Sequence, residues 1–307
     1  VATADERAIA RRGAAGIRAA VRGVVANALL AAAKIVSGVA GNSYALIADG
    51  IESTTDILSS LIVWGGLRIA SKPPDRDHPY GHGKAEPLAG AVVALALFGA
   101  AIGIAIQSVR EILVPHHAPA PFTLAVLVGV VVTKELLFRH VSGVGNEIES
   151  TAVRADAWHH RSDALTSAAA FVGISVALVF GKGYESADDW AALAACLVIA
   201  WNGSVILRQS LAEVMDAAPP PELERAVREA AAGVAGVVAI EKCRIRKSGL
   251  ASFVDIHVEV NGDLPVRRGH EIAHGVKDAL LGRADLKVID VLVHIEPAGE
   301  AKGAEGP

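Results

Sequence analysis

The sequence predicts an α-helical membrane protein with six transmembrane helices, followed by a small α+β domain of order αββαβ. Three observations predict it. Apolar residues make up 52% of the 307 positions and mean hydropathy is +0.41, too high for an ordinary soluble domain of this length. Six runs are apolar and long enough to span roughly 30 Å of hydrocarbon. After Met215 the composition turns polar, with helical and alternating patterns.

The elements follow in order. Residues 1–20 hold Arg7, Arg11, Arg12 and Arg18 with Asp5 and Glu6 and no long apolar core, so they read as a cytoplasmic arm without a cleavable signal. Residues 21–210 form the membrane domain. Its runs are Val21–Val39, Tyr44–Leu67, Leu88–Leu113, Phe122–Leu137, Ala152–Phe180 and Asp189–Leu207. No charged residue falls between Pro87 and Val109 or between Trp190 and Leu207. The fourth run is short and ends near Lys134 and Glu135. Aromatics are only 4%, so small aliphatic residues carry the apolar content and suit close helix packing.

Lysine and arginine placement sets the orientation. The arm carries Arg7, Arg11, Arg12, Arg18 and Arg22. The second-to-third connection carries Arg68, Lys72, Arg76 and Lys84, and the fourth-to-fifth carries Arg139 and Arg154. The alternate connections are poor in both types. The N-terminus is therefore expected to be cytoplasmic, and six spans return the C-terminus to the same side.

Residues 211–221 read as a linker and 222–297 as a domain of their own. Glu222–Ala232 and Arg267–Leu281 read as helices, and Val237–Arg246, Phe253–Val260 and Leu286–Ile295 as strands. The order predicts an open sheet with helices on one face. Residues 298–307 read as a disordered tail. Cys196 falls in an apolar run and Cys243 in the polar part, so no disulfide framework is expected.

Two pairs of polar residues interrupt the membrane runs. Glu52 and Asp56 lie in the second and His159 and Asp163 in the fifth. Each pair has i, i+4 spacing and shares a helix face. A charged side chain in hydrocarbon costs roughly 2.5–3.5 kcal/mol on insertion scales. It persists there when paired, hydrated or bound to a cation. Three carboxylates and one imidazole from two helices make a four-ligand metal site. The alternative is a set of helix caps or a buried polar network. Asp49, one turn before Glu52, either lines an entrance or bonds to Asn42 or Ser43 at the helix start. His160 points elsewhere and is expected at a solvated interface.

Further candidates lie outside the membrane runs. In the Asp75–Lys84 loop, Asp75, His78 and His82 either hold a second metal or only order a loop rich in Pro and Gly. In the C-terminal domain, His257, His270, His294 and Glu296 suggest a third site, with His294 and Glu296 on one face of the last strand. His274 reads as a solvated helix residue, and His116 and His117 as an exposed loop.

GNSYALIADGIESTTDILSS (41–60), DHPYGHGKAEPLA (77–89), AVRADAWHHRSDALTS (152–167) and the stretch from VDIHVEV to VHIEP (254–297) together give a specific pattern. The chain resembles the cation diffusion facilitators, dimeric divalent-metal/proton antiporters, over about residues 15–297. The resemblance implies a homodimer in a lipid bilayer, exchanging a divalent metal for protons. The bacterial inner membrane is the expected location, and no nucleic acid is expected as a partner. It implies a C-terminal domain of the ferredoxin-like, metallochaperone type. It implies transport ligands at Glu52, Asp56, His159 and Asp163, and a loop site at Asp75 and His82 with His78 nearby. It also implies a regulatory metal site at Glu241, His257, His270, His294 and Glu296, and a dimer-junction charge pair at Lys84 and Asp216.

Three positions depart from the family pattern. Glu52 stands where His or Asp is usual, Glu241 where some relatives have His, and Glu296 where some have Asp. Oxygen ligands favour Mn(II) or Fe(II), while His159 suits Zn(II). Zn(II) is the first expectation, with Fe(II), Mn(II), Co(II) and Cd(II) as further cargoes. Two other classes compete: a membrane metal sensor that does not transport, and an intramembrane metallohydrolase. The second usually needs an open coordination position and a separate base, and the chain has no HExxH.

Overall fold

The computed structural model describes residues 4–40, 44–113, 123–180 and 187–299. The side chains of Asp49 and Glu52, among others, lie outside that description, as do His116, His117 and residues 300–307. Six long helices come first: α1 (Ala4–Ala40), α2 (Tyr44–Ala70), α3 (Ala85–Leu113), α4 (Thr123–Glu147), α5 (Thr151–Phe180) and α6 (Ala187–Val214). The chain divides into two compact units, one of residues 12–211 and one of residues 1–11 with 212–307.

In the first unit α2, α3 and α5 pack on one another and α4 packs along α5. Buried Val63, Leu67, Val93, Leu97, Val141 and Val153 fill the interior. Outward-facing positions hold Leu29, Leu95, Ile102, Leu136, Leu197 and Trp201, while Asp56, Lys134, Asp156 and His160 are buried. Apolar outside and charged inside is the arrangement for a bundle surrounded by hydrocarbon. Among the described residues, three helical stretches are long and apolar enough to cross a membrane: 11–33, 85–110 and 193–214. Three of the six helices, α1, α3 and α6, contain these stretches; α2 and α4 carry charged residues inside their apolar runs.

Two boundaries differ from expectation. The basic arm is helical and continuous with the first run, because one helix runs from Ala4 to Ala40. The fourth helix does not end at Lys134 and Glu135 but continues to Glu147. Arg139 and Arg154 then sit inside helices rather than in a connection. Lys134 survives mid-helix because its ammonium has two carboxylate partners, Asp56 and Asp163.

In the second unit, α7 (Pro221–Ala232), β1 (Ala239–Ser248), β2 (Ala251–Val260), α8 (Val266–Leu281) and β3 (Val288–Pro297) reproduce the predicted order. The sheet order is β1-β2-β3, antiparallel for the first pair and parallel for the second. Val254, Ile256, Val258 and Val260 point to one face, where Val227 of α7 and Ile272, Val276 and Leu280 of α8 cover them. His257 is on the other face. Cys196 and Cys243 are free thiols.

Candidate metal centres

The fifth helix starts under tight control. Ser150 Oγ accepts the Val153 N–H at 3.1 Å, a serine N-cap bonded to the third helical residue. Buried Glu86 of α3 accepts from Ser150 Oγ and, at 2.8 Å, from the Ala152 N–H. A carboxylate at a helix N-terminus also complements the macrodipole. These bonds set the register and rotation of the helix that carries His159 and Asp163.

Asp56 of α2 faces that helix. Its Oδ1 lies 3.2 Å from His159 Nε2. One ligand atom each from Asp56, His159 and Asp163 falls within 4.8 Å of the others, and Asp56 and His159 are buried. A divalent ion with ligand distances of about 2.0–2.2 Å fits among donors so spaced. Glu52 is on α2 one turn before Asp56, but its side chain and that of Asp49 lie outside the described residues.

Three residues that sequence reasoning did not select belong to this centre. Lys134 Nζ donates to Asp56 Oδ2 and Asp163 Oδ2, each at 2.7 Å, and to Asn27 Oδ1 at 2.9 Å. Only 1% of Lys134 is exposed, so its charge is compensated by these carboxylates alone. Lys134 lies in register with buried Val130 and Val141, and that helical spacing was the available signal. The third, Asp156, accepts from Ser60 Oγ at 2.9 Å and is fully buried.

His160 corrects an expectation. It is not at a solvated interface but fully buried, its Nε2 3.8 Å from Asp156 Oδ2. Gly23 of α1 makes room: a Cβ there would stand 2.9 Å from Ser60 Oγ and 3.1 Å from His160 Nε2.

The loop residues Asp75, His78 and His82 also cluster, with ligand atoms within 4.8 Å. Asp75 Oδ1 accepts the backbone N–H groups of His78 at 2.7 Å and Asp77 at 3.0 Å. The bond from His78 comes first among the causes that hold the Asp75 carboxyl below its ordinary value. His78 Nδ1 and His82 Nε2 each stand 3.4 Å from that carboxylate.

On the open face of the sheet, His257 and His294 are paired residues of adjacent strands. His257 Nδ1 is 2.6 Å from Glu296 Oε1, and His294 Nε2 is 3.5 Å from the same oxygen. A register shift between Ile240 and Lys242 leaves Glu241 as the extra residue, its Oε2 3.4 Å from His257 Nδ1. Two imidazoles and two carboxylates so placed suit a divalent transition metal. His270 is not in this cluster; on the exposed face of α8 its ring meets His274 edge-on at 4.6 Å. Lys84 and Asp216 belong to different units, and Asp216 has a left-handed backbone, φ 56°.

Two family models match the chain. Residues 20–215 match the cation efflux transmembrane domain, and residues 219–298 match ZT_dimer, the cytoplasmic domain of cation efflux proteins. The chain is similar to the manganese efflux system protein MneP of Bacillus subtilis (strain 168), at 30% identity over 91% of this chain and 95% of that protein. It is 34% identical to an uncharacterized transporter of Methanocaldococcus jannaschii, over 84% of this chain and 90% of the other. It is 30% identical to the cation-efflux pump FieF of Pectobacterium atrosepticum, over 83% and 84%. Among solved structures, CzrB in its Zn form is 29% identical with a TM-score of 0.24, covering 28% of this chain and 96% of that one.

Proposed function

The chain belongs to the cation efflux family, the cation diffusion facilitators, and from that premise we propose that it exports a divalent transition metal by proton-coupled antiport. A member of this family is an integral membrane transporter of divalent metal cations and not an enzyme, which removes the metallohydrolase reading. The observation that carries the proposal is the convergence of Asp56, His159 and Asp163 between α2 and α5. Glu52 is assigned as the fourth ligand from its place one turn before Asp56.

Metal and proton compete for the same atoms. Carboxylates and imidazole bind metal only when deprotonated, so loading releases protons and protonation expels the ion. Imidazole changes charge nearest neutral pH, which makes His159 the main proton carrier. We assign six membrane-crossing helices with cytoplasmic termini, in a bacterial inner membrane, with cargo entering from the cytoplasm. Alternating exposure of one site then produces export.

The cargo is a first-row divalent ion. Three carboxylates favour Mn(II) and Fe(II), consistent with a manganese-exporting relative, and His159 favours Zn(II). The second unit works as a homodimer, supported by its match to the ZT_dimer model. Glu241, His257, His294 and Glu296 would hold a regulatory metal there, with His270 of either copy as a further ligand. Lys84 and Asp216 are assigned as the charge pair at the dimer junction.

A proteoliposome flux panel of Zn(II), Mn(II), Fe(II), Co(II) and Cd(II) under an imposed pH gradient tests the reading. Native protein moves at least one of these ions, and Asp56→Ala and Asp163→Ala move none while remaining folded. Native-level flux from either variant overturns the site.

A further inference from the structure

The lysine inside the centre is unexplained by a four-ligand metal site. An ammonium has three N–H donors and no acceptor. All three donors of Lys134 are used, on Asp56, Asp163 and Asn27. Two of these three acceptors are the carboxylates a metal ion needs. An ion at bonding distance from both must stand close to the ammonium, and two cations so near in a low-dielectric interior repel strongly. Metal and ammonium therefore compete for the same two carboxylates.

The third acceptor has a different character. Asn27 is neutral, fully buried and on α1, outside the helices that carry the metal ligands. It gives the ammonium a hold that does not depend on either carboxylate. The lysine stem is long and flexible, so the charge can withdraw while α4 stays in place.

We propose that Lys134 is a tethered counter-cation that shares the transport site with its cargo by turns. When its ammonium bridges Asp56 and Asp163 it offsets one of their two negative charges and hydrogen-bonds both, which spares the site an unpaired carboxylate pair in the membrane interior. When metal arrives the ammonium yields, and its return helps to expel the metal. Its presence lowers metal affinity, and that keeps release fast. This inference rests on the transport-site reading given above.

The test measures metal affinity of the full-length protein in nanodiscs, in a His82→Ala, His257→Ala, His294→Ala background, with Zn(II) and Mn(II) as probes. Lys134→Gln should bind at least tenfold more tightly and export more slowly. Lys134→Arg, which keeps a cation, should stay within about threefold of the background affinity. Asn27→Ala leaves every metal ligand and Lys134 in place but removes the hold to which the ammonium withdraws, so it should weaken binding by a few-fold. Asn27→Ala decides the matter if Lys134→Gln does not fold. Unchanged or weaker binding in Lys134→Gln, or unchanged or tighter binding in Asn27→Ala, overturns the inference, because a purely structural lysine would not restrain affinity. Asp56→Asn in the same background separates the two readings. If it leaves binding intact, the transport site is wrong; if it abolishes binding while Lys134→Gln does not tighten it, only the counter-cation is wrong.

Discussion

Replacing Glu86 with alanine should both destabilise the membrane unit and impair transport. Its carboxylate accepts from Ser150 Oγ and from the Ala152 N–H, and both ends are buried. Hydrogen bonds to a charged group are worth about 1.5–3 kcal/mol each. Two of them, with buried donors left behind, give a loss of about 3–5 kcal/mol for Glu86→Ala. Glu86→Gln keeps an acceptor but loses the charge at the helix N-terminus and should lose about half as much. At about 2–4 °C per kcal/mol for a unit of this size, the alanine variant should unfold roughly 6–20 °C below native. His159 lies about two turns beyond Ala152, so a loosened helix start misplaces the ligands. Metal flux should fall even at temperatures where the variant is folded. Thermal unfolding in nanodiscs, paired with proteoliposome flux, reads both effects. Glu86→Ala within about 2 °C of native, or Glu86→Gln as damaging as alanine, would refute the capping argument.

Further outcomes follow from other contacts. A Cβ at Gly66 would collide with the Ala89 Cβ where α2 meets α3, so Gly66→Ala should cost about 1–3 kcal/mol in unfolding experiments. Burial pushes the Cys243 thiol from 9.0 up to about 11. In a Cys196→Ala background it should react slowly with maleimide near neutral pH and speed up only as pH approaches 11. Between about 9 and 11 the unfolded thiol gives up its proton first, so this contribution to stability is complete below 9 and shrinks as pH rises through that window. Zn(II) at 100-fold excess over its dissociation constant should stabilise the second unit by about 2.7 kcal/mol, and His257→Ala should abolish most of that shift in a thermal scan.

What the sequence disclosed follows physical periodicity. The αββαβ order was legible because β2 alternates strictly, Val254, Ile256, Val258 and Val260 inward with His257 outward. The pairs at i, i+4 on α2 and α5 were legible because charge inside an apolar run stands out. Lys134 was not, because a lysine beside Glu135 looks like the end of a membrane run. Its partners on α2 and α5 are 78 and 29 residues away in sequence, and only tertiary packing brings them together. His160 was misplaced for a similar reason: its burial depends on Gly23 of α1, a distant residue with no side chain to announce the contact. The position of Glu241 depends on a bulge in β1, which alternation alone does not reveal.

The most direct test of the central claim is where the cargo sits. Anomalous scattering from crystals of the Mn(II)- or Zn(II)-loaded full-length protein should give a peak between α2 and α5. Asp56, His159 and Asp163 should lie about 2.0–2.2 Å from it, with Glu52 as the fourth ligand and the Lys134 ammonium drawn away from Asp56 and Asp163. Strong peaks only at the loop and sheet clusters, with Lys134 still bridging the two carboxylates in loaded protein that transports, would contradict the account.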